Sequence, residues 1–278
     1  MTTYTTEEMR TARKIRRNFG VSRYKFMSLN HLGALSAGQI YISDPEKFND
    51  PYDLKIEIEN LTDRSPFDNE VVLREAFAKL FVGNPEISNF WYYDEEFIAT
   101  LQEWIDGHAH YRLVIDGFKR RSKEFGVSCF SQDWDVPLLW SHYADSHRGI
   151  CVEYQVHPMK MSYNPEDLHF GQHYVRYTTE LPTLCLSEIL FSPHQVLSSL
   201  LATKHADWSY EKEWRLVHYT AKGKMVSAPK TMEISAIIVG LGFDMTRMVE
   251  VVSKATELNI PVYKINRQMG YDLKLEPY

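Results

Sequence analysis

The chain has 278 residues, 44% of them hydrophobic and 13% aromatic, with a formal net charge of −6 at pH 7. That is ample material for a core without covalent staples, and the acidic balance argues against generic affinity for a phosphate backbone. Cys129, Cys151 and Cys185 are too few and too scattered for a disulfide framework, no stretch approaches the ~20 apolar residues of a membrane span, and no apolar signal region opens the chain, so a cytoplasmic protein without a membrane partner is expected.

Between Thr5 and Asn18 the acids Glu7 and Glu8 precede five bases, the order that suits the dipole of a surface helix. Ser22–Met27 reads as a strand, and Asn30–Ala37 as a short helix capped by Asn30 and stopped by Gly38. Gln39–Ser43 is a second strand, followed by a turn-rich loop from Asp44 to Pro51. Apolar residues then recur at helical spacing through Val72, Phe77, Leu80 and Phe81 and on to Phe118, so residues 61–123 are expected to form a mostly helical insertion or lid.

Beyond it, Gly126–Ser131 is a strand, Pro137–Ala144 a short helix and Gly149–Gln155 an alternating strand. Leu184–His205 reads as a helix broken near Pro193. Ala236–Gly240, a helix over Thr246–Leu258, and Pro261–Ile265 suit a right-handed crossover between parallel strands. The expected architecture is a single α+β domain over residues 1–278, with a mixed β-sheet core and the helical insertion.

The densest chemistry lies in Trp208-Ser-Tyr-Glu-Lys-Glu-Trp-Arg-Leu-Val217. On one strand Glu211, Glu213 and Arg215 would share a face, since positions two apart point the same way. Two carboxylates this close need a basic partner, solvent or a task that uses a perturbed pKa, and Arg215 offers the partner. A salt-bridged strand edge and an acidic site framed by Trp208, Tyr210 and Trp214 both fit. Lys25, between Tyr24 and Phe26, suits either an edge strand or the grip on an anionic ligand. Ser128 and Ser131 flank Cys129 and Phe130, and buried serines usually just bond to backbone.

Other templates are poorer. Cys129, His142, His147 and Cys151 lack the paired Cys-x-x-Cys of a zinc site, and no metal is expected. Gly240-Leu-Gly242 before a helix lacks the third glycine of a dinucleotide fingerprint. Asp50 or Asp53 with Lys55 matches a metal-nuclease pattern that chance produces often.

Taken together, Tyr24-Lys-Phe, Phe48-Asn-Asp-Pro51, Cys129-Phe-Ser, Trp140-Ser-His-Tyr-Ala-Asp145 with Gly149, and Trp208-x-Tyr-Glu-x-Glu-Trp-Arg215 resemble the bacterial family of domain of unknown function 2971 over about residues 21–265. More distantly, the order of motifs is similar to that of mono-ADP-ribosyltransferases: a basic or aromatic residue on an early strand, a serine-bearing strand, then Glu-x-Glu at a later strand. Arg23, Tyr24 or Lys25 would be the first landmark, Ser128 and Ser131 the second, Glu211 and Glu213 the third. Two residues separate the serines instead of one, so both share a face only across a bulge.

The resemblance implies an ADP-ribosyltransferase-like fold and an enzyme that consumes NAD as substrate, passing ADP-ribose to a macromolecular acceptor or to water. A toxin or phage-defence effector with an antitoxin or regulatory partner is the implied setting. Glu213 would stabilise the oxocarbenium-like transition state and Glu211 would orient or deprotonate the acceptor. Tyr24 or Lys25 would hold the nucleotide ligand, Tyr143 would stack on nicotinamide, and Asn49 and Asp50 would order the rim loop, with Ser128, Ser131, Trp140, His142 and Arg215 completing the site. A non-catalytic nucleotide sensor using Lys25, Trp140 and Arg215, and a metal-dependent nuclease using Asp50, Asp53, Glu211 and Glu213, are the alternatives.

Overall fold

The computed structural model describes residues 20–54, 57–58, 123–157, 169–184, 196, 199–267 and 272–278. The helix expected over Thr5–Asn18 and, but for Lys123 and the short strand at Glu57–Ile58 just before it, the helical insertion expected over 61–123 lie outside these residues. The chain divides into two compact units, the first made of Met1–Lys47, Gly126–Val175 and Asp207–Tyr278, the second of Phe48–Phe125 and Arg176–Ala206.

The first unit is α+β, with a large mixed sheet and few helices. In chain order its strands are β1 (Val21–Met27), β2 (Gln39–Ile42), β4 (Gly126–Ser131), β5 (Ile150–Val156), β6 (Phe170–Tyr174), β10 (Glu213–His218), β11 (Lys224–Ser227), β12 (Met232–Val239), β13 (Val262–Arg267) and β14 (Leu273–Pro277). The numbers between belong to the second unit: β3 (Glu57–Ile58), β7 (Arg176–Thr178), β8 (Thr183–Leu184) and β9 (Thr203–His205). Eight strands form one sheet in the order β14-β13-β12-β5-β1-β4-β10-β6, while β2 and β11 make a separate antiparallel ribbon.

β5 shows why the sheet holds. Ile150, Val152, Tyr154 and Val156 alternate with Cys151, Glu153 and Gln155, and every residue is buried, as in a central strand covered on both faces. One face joins Phe130, Trp214, Leu216 and Ile237 to the helix α2 (Met248–Leu258), which contributes Met248, Val251 and Ala255 at helical spacing. The other face holds Tyr24, Cys151 and Ile238 against Trp140 of the helix α1 (Pro137–Tyr143).

Five of the expected strands, now β1, β2, β4, β5 and β13, are present within a residue or two, β12 begins four residues before the expected Ala236, and the expected crossover joins β12 and β13, which pair in parallel. The segment after β1 is a 3-10 helix, Leu29–Ala34, whose cap is Ser28 and not Asn30, because the Ser28 hydroxyl accepts from the Asn30 amide. Gly240-Leu-Gly242 has a packing role. Asp145, Ser146 and His147 all take left-handed φ, and Gly242 donates its amide to the His147 carbonyl, at a place where a side chain on Gly240 would overlap that oxygen. The 3-10 turn Met245–Arg247 that leads into α2 has its own cap, since Asp244 accepts from the Thr246 amide and hydroxyl.

In the second unit, β3 pairs with β8 and β7 with β9, both parallel. Both ends of the helix expected over Leu184–His205 are therefore strands, with Leu184 in β8 and the β-branched Thr203 in β9; Val196 and residues 199–201 are helical. No helix among the described residues is long and apolar enough to cross a membrane.

Candidate functional site

β1, β4 and β10 lie side by side, and their register sets Tyr24 opposite Ser131 and Ser131 opposite Glu213. On the far side of β1, Tyr24 stands opposite Glu153 of β5. Residues directly opposite one another share a sheet face. Glu153, Tyr24, Ser131 and Glu213 therefore form one transverse row across four strands, on the face that α1 covers.

At the β10 end, Arg215 points the same way as Glu213, two residues on, and grips it with two hydrogen bonds: Nε to Oε1 at 2.8 Å and Nη2 to Oε2 at 3.1 Å. With Arg215 fully buried and Glu213 4% exposed, this is a desolvated bidentate pair, which orients the carboxylate and balances its charge. Glu211 does not share the strand. Residues Ala206–Glu211 form a 3-10 helix and Lys212 takes φ of 43°, so the chain turns before β10 begins at Glu213. The alternation rule therefore fails for the acidic pair and holds for Glu213 and Arg215.

The turn nevertheless leaves Glu211 beside the row. Ser131 Oγ donates to the Glu211 carbonyl at 2.7 Å and accepts from the Asp133 amide at 3.1 Å. Tyr143, at the end of α1, donates its hydroxyl to Glu211 Oε1 at 2.7 Å. Next to it His142, Trp208 and Tyr210 form a partly exposed group of rings with centroids 6.1–6.4 Å apart. Trp140 is fully buried, edge-on to Phe26, with its indole donating to the Trp134 carbonyl, so its part is to hold α1 on the sheet.

Lys25 and Ser128 lie on the opposite face. The Lys25 ammonium donates to Ser128 Oγ at 2.8 Å and sits 5.0 Å from the Phe130 ring centre, and burial pulls its pKa below the ordinary lysine value. The register of β4 against β10 runs unbroken from Ser131 to Gly126, so no bulge turns Ser128 toward Ser131. Arg23, also on the Lys25 face, stacks between the Tyr174 and Trp214 rings, each 5.3 Å away. Among the three residues considered for the first landmark, Tyr24 alone faces Glu213.

Asn49 and Asp50 belong to the second unit. Asn49 is exposed, while buried Asp50 accepts from the Tyr52 amide at 2.9 Å and so orders its own loop. Asp53 in the same unit lies 3.7 Å from the Lys204 ammonium. No group of three or more His, Cys, Asp or Glu among the described residues is placed to hold a metal ion. The Cys129 thiol is pushed well above its ordinary pKa by burial and then by the Glu213 carboxylate, which leaves it a poor nucleophile.

Sequence reasoning passed over Glu153. Its signal was an acid in the middle of Ile150-Cys-Val-Glu-Tyr-Gln-Val156, a strand otherwise apolar enough to be central. Ser22 Oγ donates to Glu153 Oε1 at 2.7 Å and the Tyr24 hydroxyl at 3.3 Å, while Gln155 Nε2 donates to Ser22 Oγ at 2.8 Å.

A family model described as "Protein of unknown function (DUF2971)" matches residues 139–216, which include Trp140, Tyr143, Glu211, Glu213 and Arg215. No curated protein and no solved structure matches the chain. The similarity over residues 139–216 thus supports the DUF2971 family for the segment that carries α1, the acidic turn and the start of β10.

Proposed function

We propose that the protein is an ADP-ribosyltransferase-like enzyme that cleaves NAD and passes ADP-ribose to a macromolecule or to water. The observation that carries this reading is the row itself: Tyr24, Ser131 and Glu213, one from each of the three motifs, meet on adjacent strands and on one face. Glu211 and Tyr143 border the same place. In the proposed reaction the bond between the ribose C1′ and the nicotinamide nitrogen breaks, its electron pair leaving with neutral nicotinamide. Positive charge develops on the ribose, and Glu213 stabilises it. The bidentate grip of Arg215 orients that carboxylate and balances its charge. The acceptor oxygen or nitrogen then bonds to C1′ and gives its proton to Glu211, which the Tyr143 hydroxyl positions.

The test is nicotinamide release from NAD by purified protein. Wild type should release nicotinamide, and Glu213→Gln should lower the rate about a hundredfold or more, the size of loss typical when one preorganised electrostatic group is removed. Wild type that releases none and labels no macromolecule would end the reading.

A second reading draws on the same ion pair. Full burial of Arg215 against Glu213 balances the charge that catalysis would use, as suits a non-catalytic nucleotide-binding domain. In that case NAD or another nucleotide binds without turnover, and Glu213→Gln weakens binding only.

A further inference from the structure

We propose that Glu153 is a ligand-binding residue and takes the hydroxyls of a ribose at the end of the row remote from Glu213. It is 6% exposed, and no Lys, Arg or His among the described residues pairs with it. A buried carboxylate is costly unless its charge is met. Here the donors are all neutral: Ser22 Oγ at 2.7 Å, the Tyr24 hydroxyl at 3.3 Å and Gln155 Nε2 at 3.4 Å. All three converge on Oε1, more than its two lone pairs accept well, and among the described residues none reaches Oε2. The side chain is thus held in place by one oxygen and presents the other as an acceptor.

Its position says what would use that acceptor. Glu153 stands in the Tyr24, Ser131 and Glu213 row, three strand spacings from Glu213, or about 14 Å at the usual interval between strands. A dinucleotide with its nicotinamide ribose at Glu213 has a second ribose beyond a pyrophosphate, and Tyr24 spans the interval as the donor that touches Glu153. A carboxylate is the usual acceptor for ribose hydroxyls, because it takes hydrogen bonds and gives none. The neutral donors around Glu153 favour a neutral, hydroxyl-bearing group over a cation, since they already stabilise the carboxylate charge.

The inference rests on the NAD reading above and deepens it. The experiment is calorimetric titration of wild type, Glu153→Gln and Glu213→Gln with NAD and with an NAD analogue lacking both adenosine-ribose hydroxyls. Wild type should bind NAD about ten- to a hundredfold more tightly than the analogue, the value of hydrogen bonds to a charged group. Glu153→Gln should lose most of that preference, whereas Glu213→Gln should keep it. If wild type binds NAD and Glu153→Gln discriminates as well as wild type, Glu153 is a structural acid and the inference falls while the NAD reading stands. If wild type binds neither compound, both fall together. Should Glu153→Gln fail to fold, Glu153→Asp keeps the charge but withdraws it by one methylene, and the same loss of preference is expected.

Discussion

One face of the large sheet carries Arg23 and Lys25 among Phe130, Tyr154 and Trp214; the other carries Glu153, Tyr24, Ser131, Glu213 and Arg215 beneath α1. These are alternate residues of the same strands. On the first face the cations have aromatic rings and neutral oxygens for company, and the surroundings are a core. On the second, two carboxylates stand at the ends of a row of hydroxyls, one locked by an arginine and one held by neutral donors. Buried charge alone therefore does not mark the site. What separates the faces is that on the second the polar side chains line up across several strands, with a carboxylate oxygen of Glu153 left over as an acceptor.

The largest expected difference between the faces is in stability. Arg215→Met should cost ~3–5 kcal/mol in urea denaturation, because it strands the Glu213 carboxylate in the interior. Adding Glu213→Leu should recover most of that loss. A double variant as unstable as the single would mean that Arg215 contributes by packing, and the contrast between the faces would weaken. Next in size, Gly240→Ala should cost ~1–3 kcal/mol in the same measurement by pushing a methyl into the turn at His147 that follows α1. No effect there would mean that the turn is free to shift.

The smallest effect is on the cation-bearing face. The folded-state pKa of Lys25 lies below its unfolded value, so the unfolded chain binds more protons between the two. Stability therefore rises with pH across that window, up to the unfolded lysine value near ~10.4. Lys25→Met should flatten this alkaline rise and leave neutral-pH stability unchanged or slightly higher. A sharp loss at pH 7 would show that the Lys25–Ser128 contact holds the sheet, contrary to the distinction drawn between the faces.

Much of the fold was legible because alternation and turn residues are local signals. β1, β4, β5 and α1 read from the sequence as Ser22–Met27, Gly126–Ser131, Gly149–Gln155 and Pro137–Ala144, each within a residue of its observed bounds. The acidic turn was not, because period-two reasoning assumes an unbroken strand and the left-handed φ of Lys212 interrupts it. The same reasoning could not choose among Arg23, Tyr24 and Lys25. Alternation separates their faces, but only the non-local pairing with Ser131 and Glu153 identifies which face bears the row. Glu153 was hidden for a related reason: its significance lies in what stands opposite it, more than a hundred residues away in sequence.

A crystal structure of Glu213→Gln soaked with NAD is the sharpest check on the proposed row, since the variant is expected to slow turnover while Tyr24, Ser131 and Glu153 are retained. NAD should lie across the row, with its nicotinamide ribose beside residue 213 and Ser131 and its adenosine ribose toward Glu153. NAD bound at another surface, or none bound at a concentration that saturates wild type in solution, would contradict it.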